Sequence, residues 1–173
     1  MAILEIKRYP DRILKRKARD VDSITDADRK LIRDMFETMY ISGGVGLAAP
    51  QVGVSKRIIV CNPTGEKKDE LAVINPRILY RKGRKIKDCE GCLSVPGITA
   101  EVARFSILAF SGMGPRGQEI RQEARDLPAR IIDHETDHLD GVLFIDRLGF
   151  LKKKMLIARY KKKMTPKCMG RSY

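Results

Sequence analysis

Apolar positions between Thr25 and Tyr40 (TDADRKLIRDMFETMY) return every three to four residues, with Leu31, Met35 and Met39 on one line and Ile32, Phe36 and Tyr40 on the next. That period predicts a helix over 25–40, capped by Thr25 or Asp26, whose apolar side enters the core. Residues 42–51 (SGGVGLAAPQ) are too rich in glycine for a regular element and predict a loop whose backbone approaches another group closely. β-favouring runs follow at 57–61 (RIIVC), 71–80 (LAVINPRILY) and 98–110 (ITAEVARFSILAF); Gly112 to Gly117 predicts a turn, and 119–124 a further strand. A second helix is expected from Asp126, with Pro128 in its first turn, to Leu139, where Gly141 stops it. A last helix over about 147–163 spaces Leu151, Met155 and Ala158 among lysine clusters, so that this apolar side packs and the other stays charged. The expected class is α+β, with mixed or antiparallel β-sheets packed around the second helix and a helix near each end.

Composition narrows this to one domain: 173 residues with 43% hydrophobic content suit a single core. We expect residues 1–146 to form the main body of this domain and 147–173 a basic helix and tail of the same domain. Met1 to Pro10 lacks the apolar stretch of a signal peptide, and no apolar run approaches the roughly 20 residues of a membrane span, so a cytoplasmic location with no membrane partner is expected.

The net charge of +13 is unevenly placed, since residues 147–173 carry ten of the 35 Lys and Arg and none of the 22 acidic residues. No recognisable DNA-reading element accompanies it, which argues against a DNA-binding domain and leaves an acidic or nucleic-acid partner open for the tail.

Histidine changes the picture most. The chain has two, His134 and His138, four residues apart in His134-Glu135-Thr136-Asp137-His138. On a helix that spacing is about 400° of rotation, which puts both rings on one face where a single metal ion can take both. Glu135, beside the first histidine, can reach a water at the ion without being a ligand, the placing of a general base. A hydrolytic centre usually has three protein ligands. A third histidine six residues after His138 is ruled out by Phe144, and a downstream glutamate by the lack of any acidic residue after Asp146. In a reducing cytoplasm the four cysteines, Cys61, Cys89, Cys92 and Cys168, are better suited to metal or catalysis than to disulfides. Cys92, flanked by glycine in Glu90-Gly91-Cys92-Leu93-Ser94, supplies a thiolate suited to zinc or ferrous iron and completes the set.

Three segments, Gly44 to Gln51 (GVGLAAPQ), Glu90 to Ser94 (EGCLS) and His134 to His138 (HETDH), resemble, in order, the three motifs of the peptide deformylases, and the resemblance runs from Tyr9-Pro10-Asp11 to Asp146-Arg147. It implies a hydrolase that removes the N-formyl group from N-formyl-methionyl nascent polypeptides, with Cys92, His134 and His138 on one divalent ion. In such enzymes that ion is often Fe2+, and Zn2+, Ni2+ or Co2+ can substitute. The resemblance also implies that Glu135 moves the proton and that the Gln51 amide and the Leu93 backbone N–H donate to the oxyanion. Gly44 and Gly46 then let the loop pair with substrate like an added strand, and Val45 and Ile131 are candidates for the methionine pocket. One local departure is Asp133, where glutamine is common in the family.

Two other readings compete. Cys89-Glu90-Gly91-Cys92 with the two histidines can form a closed, structural zinc site, although 41 residues separate Cys92 from His134 and a closed site leaves Glu135 without work. Alternatively, the clusters Lys152-Lys153-Lys154 and Lys161-Lys162-Lys163 suit a non-enzymatic protein that binds RNA or the ribosome.

Overall fold

Thr25 starts the first helix, α1 (Asp26–Ile41), of the computed structural model, which describes residues 2–164. Its hydroxyl accepts from the Asp28 amide while the Asp28 carboxylate accepts from the Thr25 amide, so two of the helix's free N–H groups are satisfied. Ile32, Met35 and Met39 are fully buried, as the sequence period requires. Tyr40 is not: its ring is 40% exposed, because its hydroxyl donates to Glu70 at 2.9 Å and accepts from Asn62 at 2.7 Å at the edge of the core.

Five antiparallel strands form one sheet in chain order: β1 (Gly46–Ala48), β2 (Ile58–Cys61), β3 (Leu71–Gly91), β4 (Thr99–Met113) and β5 (Glu119–Arg125). Two expectations change. Part of the glycine-rich segment is a short strand, with Gly46 opposite Cys61, and β3 continues eleven residues past Tyr80, carrying Glu90 and Gly91 to the foot of a long hairpin with β4.

The four residues of β2 are all buried, and alternation explains why. Ile59 and Cys61 face one way and join Ala48, Phe110, Ile131 and Ile132; Ile58 and Val60 face the other and join Met35, Met39 and Leu47. The sheet is thus held between α1 on one face and the helix α2 (Asp126–Leu139) on the other. Cys61 is a core residue, and Cys168 lies outside the described residues. Every residue of α2 from Ile131 to Leu139 is buried, including two histidines, two aspartates and a glutamate. Polar groups so enclosed have to find partners in the protein, which is the first structural sign of a built site.

The last helix, α3 (Phe150–Met164), packs with the opposite side to the one expected. Leu151 is 70% and Met155 63% exposed, and Ala158 is also exposed; the inward residues are Leu156, Ile157 and Tyr160. Both apolar sets recur at helical spacing, so the period alone does not choose between them. The choice goes to the side on which the Tyr160 hydroxyl can donate to the Tyr9 carbonyl at 2.9 Å and its ring meets that of Tyr9 edge-on.

Candidate metal centre

At the buried centre of α2 the rings of His134 and His138 lie 5.1 Å apart. Gly91 ends β3, and the chain turns so that Cys92 faces the two rings, with its Sγ 3.2 Å from Nε2 of His138. Donor atoms of Cys92, His134 and His138 all lie within 4.8 Å of one another, the only such group of three among the described residues. A thiolate and two imidazoles at that separation suit one divalent ion. Cys89 is exposed on β3 opposite Glu101 and outside this group, so the closed four-ligand site does not form.

His134 is oriented from behind. Its Nδ1 meets Glu90 Oε2 at 2.9 Å, which leaves Nε2 for the ion. Glu90 is itself held by the buried guanidinium of Arg104, Nε to Oε1 at 2.7 Å and Nη2 to Oε2 at 3.0 Å, and by Arg130 at 2.6 Å. Arg104 also donates to Asp137 at 2.9 Å, and Asp137 accepts in turn from Arg147 at 2.8 Å. Sequence reasoning missed Arg104. The signal was present, since β4 turns Ala100, Val102, Leu108 and Phe110 inward and Arg104 falls on the same alternation; a charge on the apolar side of a strand announces a buried ion pair.

These contacts set the charges. Burial opposes ionisation of Glu90, but hydrogen bonds with His134 and Arg104 outweigh it and hold the carboxyl at about 2. Burial likewise disfavours charge on His134, yet hydrogen bonds to Cys92 and Glu90 lift it to about 10. His138 is driven well below the usual imidazole range by its own burial and by the charge on His134. Burial lifts Glu135 to about 7, and its Oε2 has no hydrogen-bond partner among the described residues, an acceptor free to engage a proton.

Gln51 is 2% exposed and lies beside Cys92. Its Oε1 accepts from the Ala48 amide at 2.8 Å, which fixes the rotamer, and its Nε2 is directed to Cys92 Sγ at 3.4 Å and Ser94 Oγ at 3.3 Å. Cys92, His134, Gln51 and Glu135 open on a cleft of about 690 Å3 that Gly44, Val45, Gly46, Leu93 and Ile131 also line, while His138 lies buried behind them. Val45 is 47% exposed there, whereas Ile131 is shared between the cleft and the core. The close approach expected of this glycine-rich segment has named partners: a β-carbon on Gly44 would fall 2.9 Å from Leu93 Cδ1, and one on Gly46 2.5 Å from Glu135 Oε1.

Three donors clustered at the base of a cleft that two of them line, with a carboxylate beside them, define a metal-dependent hydrolase with a single ion. The chain belongs to the polypeptide deformylase family, whose model matches residues 3–154. It is 46% identical over 165 residues to the peptide deformylase of Thermodesulfovibrio yellowstonii, covering 94% of this chain and 99% of that one. It is 47% identical to that of Halothermothrix orenii over 156 residues, 90% of this chain and the whole of the other. The crystal structure of the peptide deformylase from Legionella pneumophila superposes with a TM-score of 0.89 at 38% identity, covering 94% and 95% of the two chains. That of the Ehrlichia chaffeensis enzyme in complex with actinonin gives 0.87 at 38% identity, covering 95% and 99%.

Proposed function

We propose that this chain hydrolyses the N-formyl group of N-formyl-methionyl nascent polypeptides, releasing formate and a free α-amine. The observation that carries the reading is the convergence of donor atoms of Cys92, His134 and His138 within 4.8 Å at the base of the cleft, with Glu135 beside them, in a chain of this family. The three ligands would hold one divalent ion, Fe2+ in the cell, with Zn2+, Ni2+ or Co2+ able to replace it, as a mixed thiolate and imidazole set suits all four. When bound, the ion supplies Lewis acidity, lowering the pKa of water from about 16 towards 7 and polarising the formyl oxygen.

The protein's own groups do the rest. Glu135 accepts a proton from the attacking water as the new carbon–oxygen bond forms, then delivers it to the nitrogen as the carbon–nitrogen bond breaks. The Gln51 amide and the Leu93 backbone N–H donate to the oxyanion between those steps; the fixed Gln51 rotamer supports this, since a donor that need not reorganise stabilises more. β1 is an edge strand of the sheet, so Gly44, Val45 and Gly46 offer backbone that an extended substrate can join as a further strand. Val45 and Ile131 supply apolar wall for the methionine side chain.

Substrate of this kind emerges from ribosomes, which supports a cytoplasmic location, and no described helix is long and apolar enough to cross a membrane. The outward face of α3, with Phe150, Leu151 and Met155 among lysines, supports a contact with the ribosome by the basic end of the chain, outside the catalytic part in 1–146. Its predicted far end, with Lys167 and Arg171, lies outside the described residues. Removing 161–173 should weaken ribosome association at low salt and leave hydrolysis of a small formyl peptide nearly unchanged.

The test of the main reading is metal analysis coupled to formate release from a formyl-methionyl peptide after anaerobic purification. About one ion per chain and activity abolished by chelation are expected; full activity after metal stripping would reject the reading.

A further inference from the structure

The residue before the first candidate ligand histidine is Asp133, a charged side chain inside a buried stretch of α2. Asp133 is 5% exposed, and a carboxylate so enclosed is costly unless it is paired. Its Oδ1 accepts from Nε of Arg81 at 2.9 Å and from Nη2 at 2.7 Å, and its Oδ2 from Nη1 of Arg104 at 3.0 Å. A line of contacts therefore runs from Arg81 through Asp133, Arg104 and Glu90 to Nδ1 of His134.

Strand geometry alone would not allow it. Arg81 and Glu90 both lie on β3, nine residues apart, and an odd separation puts side chains on opposite faces. Their partners on β4, Leu108 and Ala100, are eight apart and both buried. The difference is a β-bulge between Lys82 and Lys85, where Gly83 adopts φ +82° and a β-carbon would fall 2.4 Å from Ser106 Oγ. One extra residue there turns Arg81 and Glu90 to the same helix.

We propose that Arg81 and Asp133 are a pair of positioning residues for the metal centre. Asp133 separates the guanidiniums of Arg81 and Arg104; Arg81 in turn keeps Asp133 from drawing Arg104 away from Glu90, and so keeps Glu90 on His134. Losing one member leaves an unbalanced charge beside Arg104, whereas losing both removes no net charge and leaves Arg104 between Glu90 and Asp137. The inference rests on the reading that Cys92, His134 and His138 hold the ion.

The test uses the zinc-loaded full chain, competed against a chromophoric chelator, alongside thermal unfolding. Asp133→Asn should weaken zinc binding about tenfold. Arg81→Gln, at a side chain that is 37% exposed and so tolerant of change, should weaken it roughly threefold. The double variant should lie closer to the parent than Asp133→Asn does. Zinc affinity unchanged in both single variants, losses that simply add in the double variant, or a lower melting temperature with unaltered zinc affinity would each overturn the pair's role. A parent chain that holds no zinc would overturn the ligand assignment and the pair with it.

Discussion

The backbone of Gly46 lies directly against the carboxylate of Glu135, so that a methyl group on it would fall 2.5 Å from Oε1 and 2.9 Å from Cγ. Such a contact forces one of the two to move, and Glu135 on a buried helix has little room. Gly46→Ala should therefore displace the base while leaving the ligands in place. We expect turnover to fall on the order of 10²-fold with metal content near one ion per chain, because a displacement of about 1 Å is enough for that loss. Formate release and metal analysis on the same sample check it, and unchanged turnover would show that the loop accommodates the methyl.

Replacing Glu135 itself by glutamine separates base from ligands in a second way. The amide keeps the size of the side chain but cannot accept the proton from water, so turnover should drop by about 10²-fold or more with the ion retained. Near-normal turnover in a metal-replete Glu135→Gln variant would reject its role.

Cys92 and Cys89 test the open site against a closed one. Cys92→Ser should lose the ion and the activity together, since a neutral hydroxyl does not replace a thiolate. Cys89→Ser, at an exposed side chain outside the donor group, should keep both. Comparable metal loss from the two variants would contradict the three-ligand centre.

Acid stability should depend on Asp28, remote from the site. Burial opposes its charge, but hydrogen bonds from Lys56 and Thr25 prevail and hold the carboxyl below the usual aspartate range. A carboxyl depressed in the folded state stabilises the protein above its unfolded pKa, here 3.8, and that contribution fades as pH falls through the folded value. Asp28→Asn should cost about 1 kcal/mol at neutral pH through the lost capping box and lysine pair. The gap between variant and parent urea midpoints should narrow below about pH 4. A gap that stays constant down to pH 2.5 would refute the linkage.

How much of this was legible in the sequence follows from the range of the forces involved. The helix period over Leu31, Met35 and Met39, the four-residue step from His134 to His138 and the turn before β5, which starts at Gly114 rather than at the expected Gly112 because Gly112 and Met113 still pair with β5, are local, and each is fixed by backbone geometry within a few residues. With two histidines in the chain, both on one helix face, the pair of candidate ligands and the neighbouring Glu135 could be singled out before any fold was known. Tertiary structure decided what depends on partners far along the chain. Cys92 rather than Cys89 meets the histidines because β3 ends at Gly91 and turns there. Glu90 reaches His134 across 44 positions by way of a bulge whose single extra residue turns every later side chain of β3, and Arg81 and Arg104 reach Asp133 across 52 and 29. The packing side of α3 was likewise settled by Tyr9, 151 positions away from Tyr160. Register, bulges and docking faces are sums over such distant contacts, so the sequence states which chemistry is present and the fold decides which groups hold it in place.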